Sequence, residues 1–254
     1  MNMNNKNIII ILILLVIGII IILVYDYANK NIYSFVDIIN RFFAKYCKDP
    51  PVLNPNDFLW SNNFRNNWTN IRDEYLSYAN RYIIPAHKNI NSIVSSCDKN
   101  NGWKTLYLRA YNKDTDMARY FPQTMNLINK CPCTLAFFSV LEPGAKLTPH
   151  VGIYKGVIRY HLGLIIPDDW QNCFINVNGN VLHWREGENI MFDDMFLHYV
   201  ENNTSQPRVI LFLDIKRDFH NVFINGLNSL FLKYIKSNDA LKDTINNANS
   251  FAPK

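Results

Sequence analysis

Cysteine is scarce and odd in number. The 254 residues hold five, Cys47, Cys97, Cys131, Cys133 and Cys173, too few and too irregular for a disulfide framework. Cys131-Pro132-Cys133 has no second cysteine pair at zinc-site spacing, so these thiols read as ordinary buried or surface residues. The net charge of +5 is scattered, with no block of Lys or Arg, which removes the electrostatic basis for nucleic-acid binding. No internal repeat and no second domain is visible. What is present fits one globular domain: 14% aromatic residues and only 19% charged ones give enough apolar surface to build a full core.

The one long hydrophobic run lies at the start. Every residue from Ile8 to Val24 is apolar except Gly18, and Tyr25 and Tyr27 follow as interfacial anchors. Residues 1–25 are therefore expected to be an uncleaved, single-pass membrane anchor, one N-terminal transmembrane helix. Lysines and arginines on both sides (Lys6; Lys30, Arg41 and Lys45) leave its orientation open. Residues 26–56 are expected to form an amphipathic juxtamembrane helix and a linker. Ile32, Phe35, Val36, Ile39, Phe42, Phe43 and Tyr46 recur at helical spacing, and Pro50-Pro51 and Asn54-Pro55 break the chain.

Residues 57–236 read as one soluble domain and 237–254 as a polar C-terminal tail. Helical periodicity covers about 66–82, and Pro122 opens a short helix. Strands are expected at Trp103–Tyr111, Thr134–Leu141, Val157–Ile166, Cys173–Val177, Val181–Trp184, Asn189–Phe192, Tyr199–Glu201 and Arg208–Ile215, with Asn178-Gly179 as a hairpin turn. A last helix spans His220 to Ile235. The fold class is mainly β, a double-stranded β-helix (jelly roll, cupin-like) with flanking helices.

The chemistry falls in the strand region. Imidazoles at His150 and His198 can share a metal only if the fold brings their segments together, and histidine alone does not choose between iron, zinc, copper and nickel. A carboxylate two residues after the first histidine would complete a common iron site, but that position is Gly152. Either two histidines hold the metal with solvent and co-substrate, or the site is not an iron site. Arg159 and His161 share one strand face. A cation and an imidazole buried there need an anionic ligand. Arg208 supplies a fixed fork for a carboxylate. The bland readings are a surface-paired Arg208, core or surface roles for His87, His183 and His220, and turn chemistry for Asp193-Asp194.

Six segments in matching order resemble the aspartyl/asparaginyl beta-hydroxylase family: Phe138-Ser139-Val140-Leu141-Glu142-Pro143-Gly144, Pro149-His150, Arg159-Tyr160-His161-Leu162-Gly163-Leu164, Phe192-Asp193-Asp194, His198 and Arg208. The N-terminal run, the Asn67-Trp68 helix and Gly102-Trp103-Lys104 are similar to its membrane-anchored lipid A hydroxylase branch, whereas Gly152 is similar to the animal peptidyl-aspartyl hydroxylases. The resemblance implies an Fe(II)- and 2-oxoglutarate-dependent dioxygenase. It makes His150 and His198 the iron ligands and sets Arg208 on the distal carboxylate of 2-oxoglutarate, with Ser139, Arg159 and His161 orienting that co-substrate. The substrate it implies is a lipid acyl chain or a peptidyl Asp or Asn. A jelly-roll binding module that keeps the pocket without turnover is the other class to be tested.

Overall fold

Short apolar runs that are buried on both faces dominate the chain between 103 and 216, and they pair into two antiparallel sheets. The computed structural model describes residues 32–91, 95–237 and 239–253, preceded by 17, 18, 21, 24, 25, 27 and 30. The strands are β1 (Val52–Leu53), β2 (Trp103–Ala110), β3 (Lys113–Asp114), β4 (Cys133–Leu141), β5 (Lys146–His150), β6 (Val157–Ile165), β7 (Cys173–Val177), β8 (Asn180–His183), β9 (Asn189–Phe192), β10 (His198–Asn202) and β11 (Arg208–Lys216). One sheet has seven strands in the order β1-β9-β6-β11-β4-β2-β3, the other four in the order β5-β10-β7-β8. The helices are α1 (Ile32–Ala44), α2 (Ser61–Asn66), α3 (Trp68–Ala79), α4 (Pro122–Ile128), α5 (Val222–Ser237) and α6 (Asp239–Ser250).

Strand parity decides which core each side chain joins. On β4, Ala136, Phe138 and Val140 point to the outer face, where they pack with Ile71 and Tyr75 of α3 and Met125 and Ile128 of α4. Leu135, Phe137 and Leu141 point inward and meet Ile175, Val177 and Val200 of the small sheet. The same alternation on β6 sends Tyr160 and Leu162 outward and Arg159 and His161 inward. In β11, Arg159 lies opposite Asp214 and His161 opposite Phe212. The chemistry thus sits on the inner parity of strands whose outer parity is wholly apolar. A third apolar cluster joins α1 and α5 through Val36, Phe43, Phe231, Leu232 and Ile235.

The mainly β architecture with flanking helices matches the expectation from sequence, and the Asn178-Gly179 turn takes positive φ at both residues (49° and 86°), as a tight hairpin requires. Three details differ. Residues 239–253 are no polar tail: α6 buries Ile245 and Ala248, and Asn249 accepts a hydrogen bond from the Asp116 backbone at 2.9 Å. The linker before residue 57 also contributes to the domain, because Val52 and Leu53 extend the large sheet as β1. Strand β5, which carries His150, was hidden by Pro149, a residue tolerated there because β5 is an edge strand. Most of the expected anchor at 1–25 lies outside the described residues. Among the described residues no helix is long and apolar enough to cross a membrane.

Candidate active site

β5 and β10 lie side by side with His150 directly opposite His198, and the ring centroids are 4.3 Å apart. In each ring Nδ1 meets the carbonyl two residues back, Thr148 O at 2.7 Å and Phe196 O at 2.9 Å. A carbonyl only accepts, so Nδ1 carries the proton and Nε2 keeps its lone pair. Burial disfavours protonation of His150, with Arg159 adding to the effect and the Thr148 carbonyl opposing it. His198 is pushed down to about 3 by burial, then by Arg159 and His150, with the carbonyls of Phe196 and Asp194 in opposition. Two neutral imidazoles with fixed tautomers form a two-donor set suited to a transition metal. Among the described residues no group of three or more His, Cys, Asp or Glu side chains is placed to hold a metal ion.

Gly152 follows in the loop after β5. Its N–H donates to the Asp194 carbonyl at 2.6 Å, and a Cβ at position 152 would overlap the Asp194 carboxylate. An acidic group therefore stands beside the expected position, supplied from the segment before His198. Asp194 Oδ2 is 2.8 Å from Arg159 Nη2, while its buried Oδ1 has no hydrogen-bond partner. Burial raises the carboxyl to about 6, against the pull of Arg159. Arg159 also donates from Nε to Asp214 at 3.1 Å; although burial works against its charge, the two carboxylates hold it above its ordinary value.

Asp193-Asp194 is more than turn chemistry. Asp193 Oδ1 does accept from the Met195 N–H at 3.1 Å, but both carboxylates are fully buried. Asp193 pairs with Lys155 and, at 2.9 Å, with Arg217. The signal in sequence was their position, in register with the apolar run Ile190-Met191-Phe192 rather than beyond a polar break.

Arg208, Ser139 and His161 form a second group. Arg208 is 2% exposed, with Nη1 3.5 Å from Ser139 Oγ and its guanidinium over the Trp184 ring at 4.5 Å. Among the described residues it makes no ion pair with a carboxylate, and its Nε lacks a partner. Burial lowers it to about 10, with Cys173 opposing. Trp184 Nε1 donates to His161 Nδ1 at 3.4 Å, which places the His161 proton on Nε2, a buried atom without a partner. His161 is held well below its usual range by burial, then by Arg208, Arg159 and His198. Unspent donors with no anion beside them fit a carboxylate ligand.

A cavity of about 290 Å³ reaches His150, Gly152, Arg159 and Asp194 and continues to α1 and α5, near the lower limit of small-molecule pockets. Ser139, His161, His198 and Arg208 do not line it. His87 does. It stacks on Trp103 with centroids 3.6 Å apart, its Nε2 is buried without a partner, and burial followed by Arg159 lowers it to about 3. No local pattern in the sequence distinguishes His87 from a core histidine. His220 is exposed, as a surface reading requires.

Known proteins resemble this chain to different degrees. The chain is 34% identical over 187 residues to an ornithine lipid ester-linked acyl 2-hydroxylase of Rhizobium tropici, covering 72% of this chain and 66% of that one. It is 29% identical over 159 residues to the human aspartyl/asparaginyl beta-hydroxylase, covering 59% of this chain and 20% of the relative. The chain thus spans just under two thirds of the first relative and a fifth of the second. A prolyl-4-hydroxylase from Pseudomonas putida superposes with a TM-score of 0.41 at 13% identity, over 61% of this chain and 88% of that one. A profile of the aspartyl/asparaginyl beta-hydroxylases matches residues 65–218, the stretch that contains the histidine pair and Arg208, and the chain belongs to that family.

Proposed function

We propose that the protein is an Fe(II)- and 2-oxoglutarate-dependent dioxygenase that hydroxylates an aliphatic C–H bond of a lipid acyl chain. The observation that carries this reading is the buried Arg208, with no carboxylate to neutralise it among the described residues, beside the unpartnered Nε2–H of His161. A dicarboxylate would satisfy both through charge-assisted hydrogen bonds. His150 and His198 would hold the iron through Nε2. Arg208 would bind the distal carboxylate of 2-oxoglutarate, and Ser139 and His161 would orient it. Arg159 would fix the position of Asp194 over Gly152 and help to orient the co-substrate. An iron centre of this type supplies oxidation of an unactivated C–H bond coupled to conversion of 2-oxoglutarate and oxygen to succinate and carbon dioxide. The protein's part is to hold the imidazoles neutral, fix their tautomers and keep water from the reacting carbon.

A lipid substrate is favoured by the rhizobial relative, whose match extends over 72% of this chain, and by the apolar run at 8–24, which we read as a single-pass anchor. A peptidyl Asp or Asn is the second reading, supported by the human relative. The test is succinate formation by the full chain in detergent with Fe(II), 2-oxoglutarate and oxygen, beside the His198→Ala variant. Metal- and His198-dependent succinate is expected. Metal binding with neither 2-oxoglutarate binding nor consumption, even with lipid and peptide supplied, would instead identify a binding module.

A further inference from the structure

The cavity beside His150 has two unlike halves. One end presents Arg159, Asp194 and His150; the other is walled by Tyr33 and Val36 of α1 and by Leu232 and Ile235 of α5. The four lining residues from α1 and α5 carry no charge, while Asp214 joins Arg159 and Asp194 as the charged lining among the described residues. These helices are tied to the site. Asn40 of α1 donates to the Ile153 carbonyl at 2.7 Å and accepts from the Lys155 N–H at 2.8 Å, clasping the loop that leaves His150. On that loop Val151 and Ile153 are substantially exposed. Phe35 packs on Phe231 and Tyr234 of α5. Tyr25, at the end of the apolar run, meets Tyr234 edge-on at 6.0 Å.

The α1/α5 end therefore shares a helix with Tyr234, which Tyr25 touches just after the apolar run in sequence. The same two helices leave Tyr33, Ile38, Val222, Phe223 and Leu230 exposed, apolar side chains that a bilayer would accept better than water does. We infer that α1 and α5 form the entrance through which an acyl chain passes from the bilayer to the site at His150. This rests on the lipid reading above and adds the route and the residues that measure chain length. Apolar walls reward a methylene chain at about 25 cal/mol per Å² buried. Val36, Leu232 and Ile235 offer a peptide's amides no hydrogen-bond partner along this part of the wall.

The test uses the full chain in phosphatidylcholine vesicles that carry acyl-amino-acid lipids of short and long chain. Hydroxylated acyl chains are quantified by mass spectrometry, and a panel of Asp- and Asn-containing peptides is run in parallel. For each variant the long-chain rate is divided by its own short-chain rate, so that a loss of folded protein cancels. Val36→Trp and Ile235→Trp narrow the entrance and are expected to lower this ratio about tenfold, equivalent to about 1.4 kcal/mol. Tyr33→Asp changes a residue that is 63% exposed, so it tests the entrance without disturbing a core. It is expected to lower the ratio in the same direction. Lipid hydroxylation by the wild type with an unchanged ratio in Tyr33→Asp and in whichever Trp variant folds overturns the entrance alone. Hydroxylation of peptide and not of lipid overturns the lipid reading, and the entrance with it.

Discussion

β11 is bounded by two buried arginines that the protein treats in opposite ways. Arg217, just past its C-terminal end and 1% exposed, pairs with Asp49 and Asp193 and donates to the carbonyls of Lys155 at 2.7 Å and Val157 at 3.0 Å. Arg208, at the other end and equally buried, has Ser139, Cys173 and an indole face, and no carboxylate among the described residues. Burying a guanidinium without a counter-charge is costly, and the protein meets that cost in full at Arg217. The contrast separates a charge that locks the chain together from one that, under the proposed function, would be kept for a ligand. Arg159 falls between them, neutralised by Asp194 and Asp214 but lining the cavity.

The largest effect is expected at the histidine pair, whose Nε2 lone pairs would hold the metal under the proposed function. His150→Ala or His198→Ala should lower metal-dependent succinate formation by at least about 100-fold, since loss of even indirect support to a metal ligand reaches that range. Metal affinity measured by titration should fall with it. Retention of metal binding and turnover in His198→Ala would remove the paired-imidazole site.

The arginines give the direct comparison. Arg208→Met should raise the KM for 2-oxoglutarate about 100-fold, corresponding to about 3 kcal/mol of charge-assisted hydrogen bonding. Its stability to urea should change by less than about 1 kcal/mol, because among the described residues the buried charge it removes has no carboxylate partner to strand. Arg217→Met should do the reverse, costing about 3 kcal/mol or more by leaving Asp49 and Asp193 under-compensated. Equal destabilisation by the two substitutions would make Arg208 a structural residue and defeat the contrast.

Gly152 tests the carboxylate that replaces its missing side chain. In Gly152→Ala the new methyl group overlaps Asp194, so the acid must leave Arg159 or the loop must shift, at about 1–3 kcal/mol. We expect about tenfold lower turnover. In an Asp194→Ala background the same change should cost little, and the shortfall from additivity measures the coupling. Strict additivity would mean that the two residues do not compete for one space.

The sheets were legible in the sequence because a strand reports its own parity. Phe138 and Val140 against Phe137 and Ser139, or Tyr160 and Leu162 against Arg159 and His161, already separate outer core from inner chemistry. The roles of Asp193 and Asp194 were not legible, because they depend on Lys155, Arg159 and Arg217 arriving from other strands and loops. Nor was His87, whose place beside Trp103 is fixed by the bridge between Ala86 and Lys104. The C-terminal helix escaped notice for a different reason. Its polar residues hide a narrow stripe of Thr244, Ile245 and Ala248, and only packing against the domain stabilises so short a helix.

The smallest effect is expected at the exposed counterpart of these buried charges. Lys146 on β5 and Glu201 on β10 are directly paired across the sheet, with Nζ and Oε2 2.8 Å apart and the lysine side chain half exposed. Hydrogen bonds from Lys146 and then Asn203 hold the Glu201 carboxyl below its ordinary value. The depressed value means that the unfolded chain takes up the proton first as the pH falls. The stabilisation is therefore complete above about pH 4.3, the usual glutamate range, and disappears as the pH drops through the lower folded value. Solvent screens the pair, so Lys146→Ala should cost at most about 1 kcal/mol at neutral pH and less in high salt. Urea unfolding at two ionic strengths measures it. A salt-independent loss of several kcal/mol would place this pair with Arg217 and show that burial is not what divides the charges of this fold.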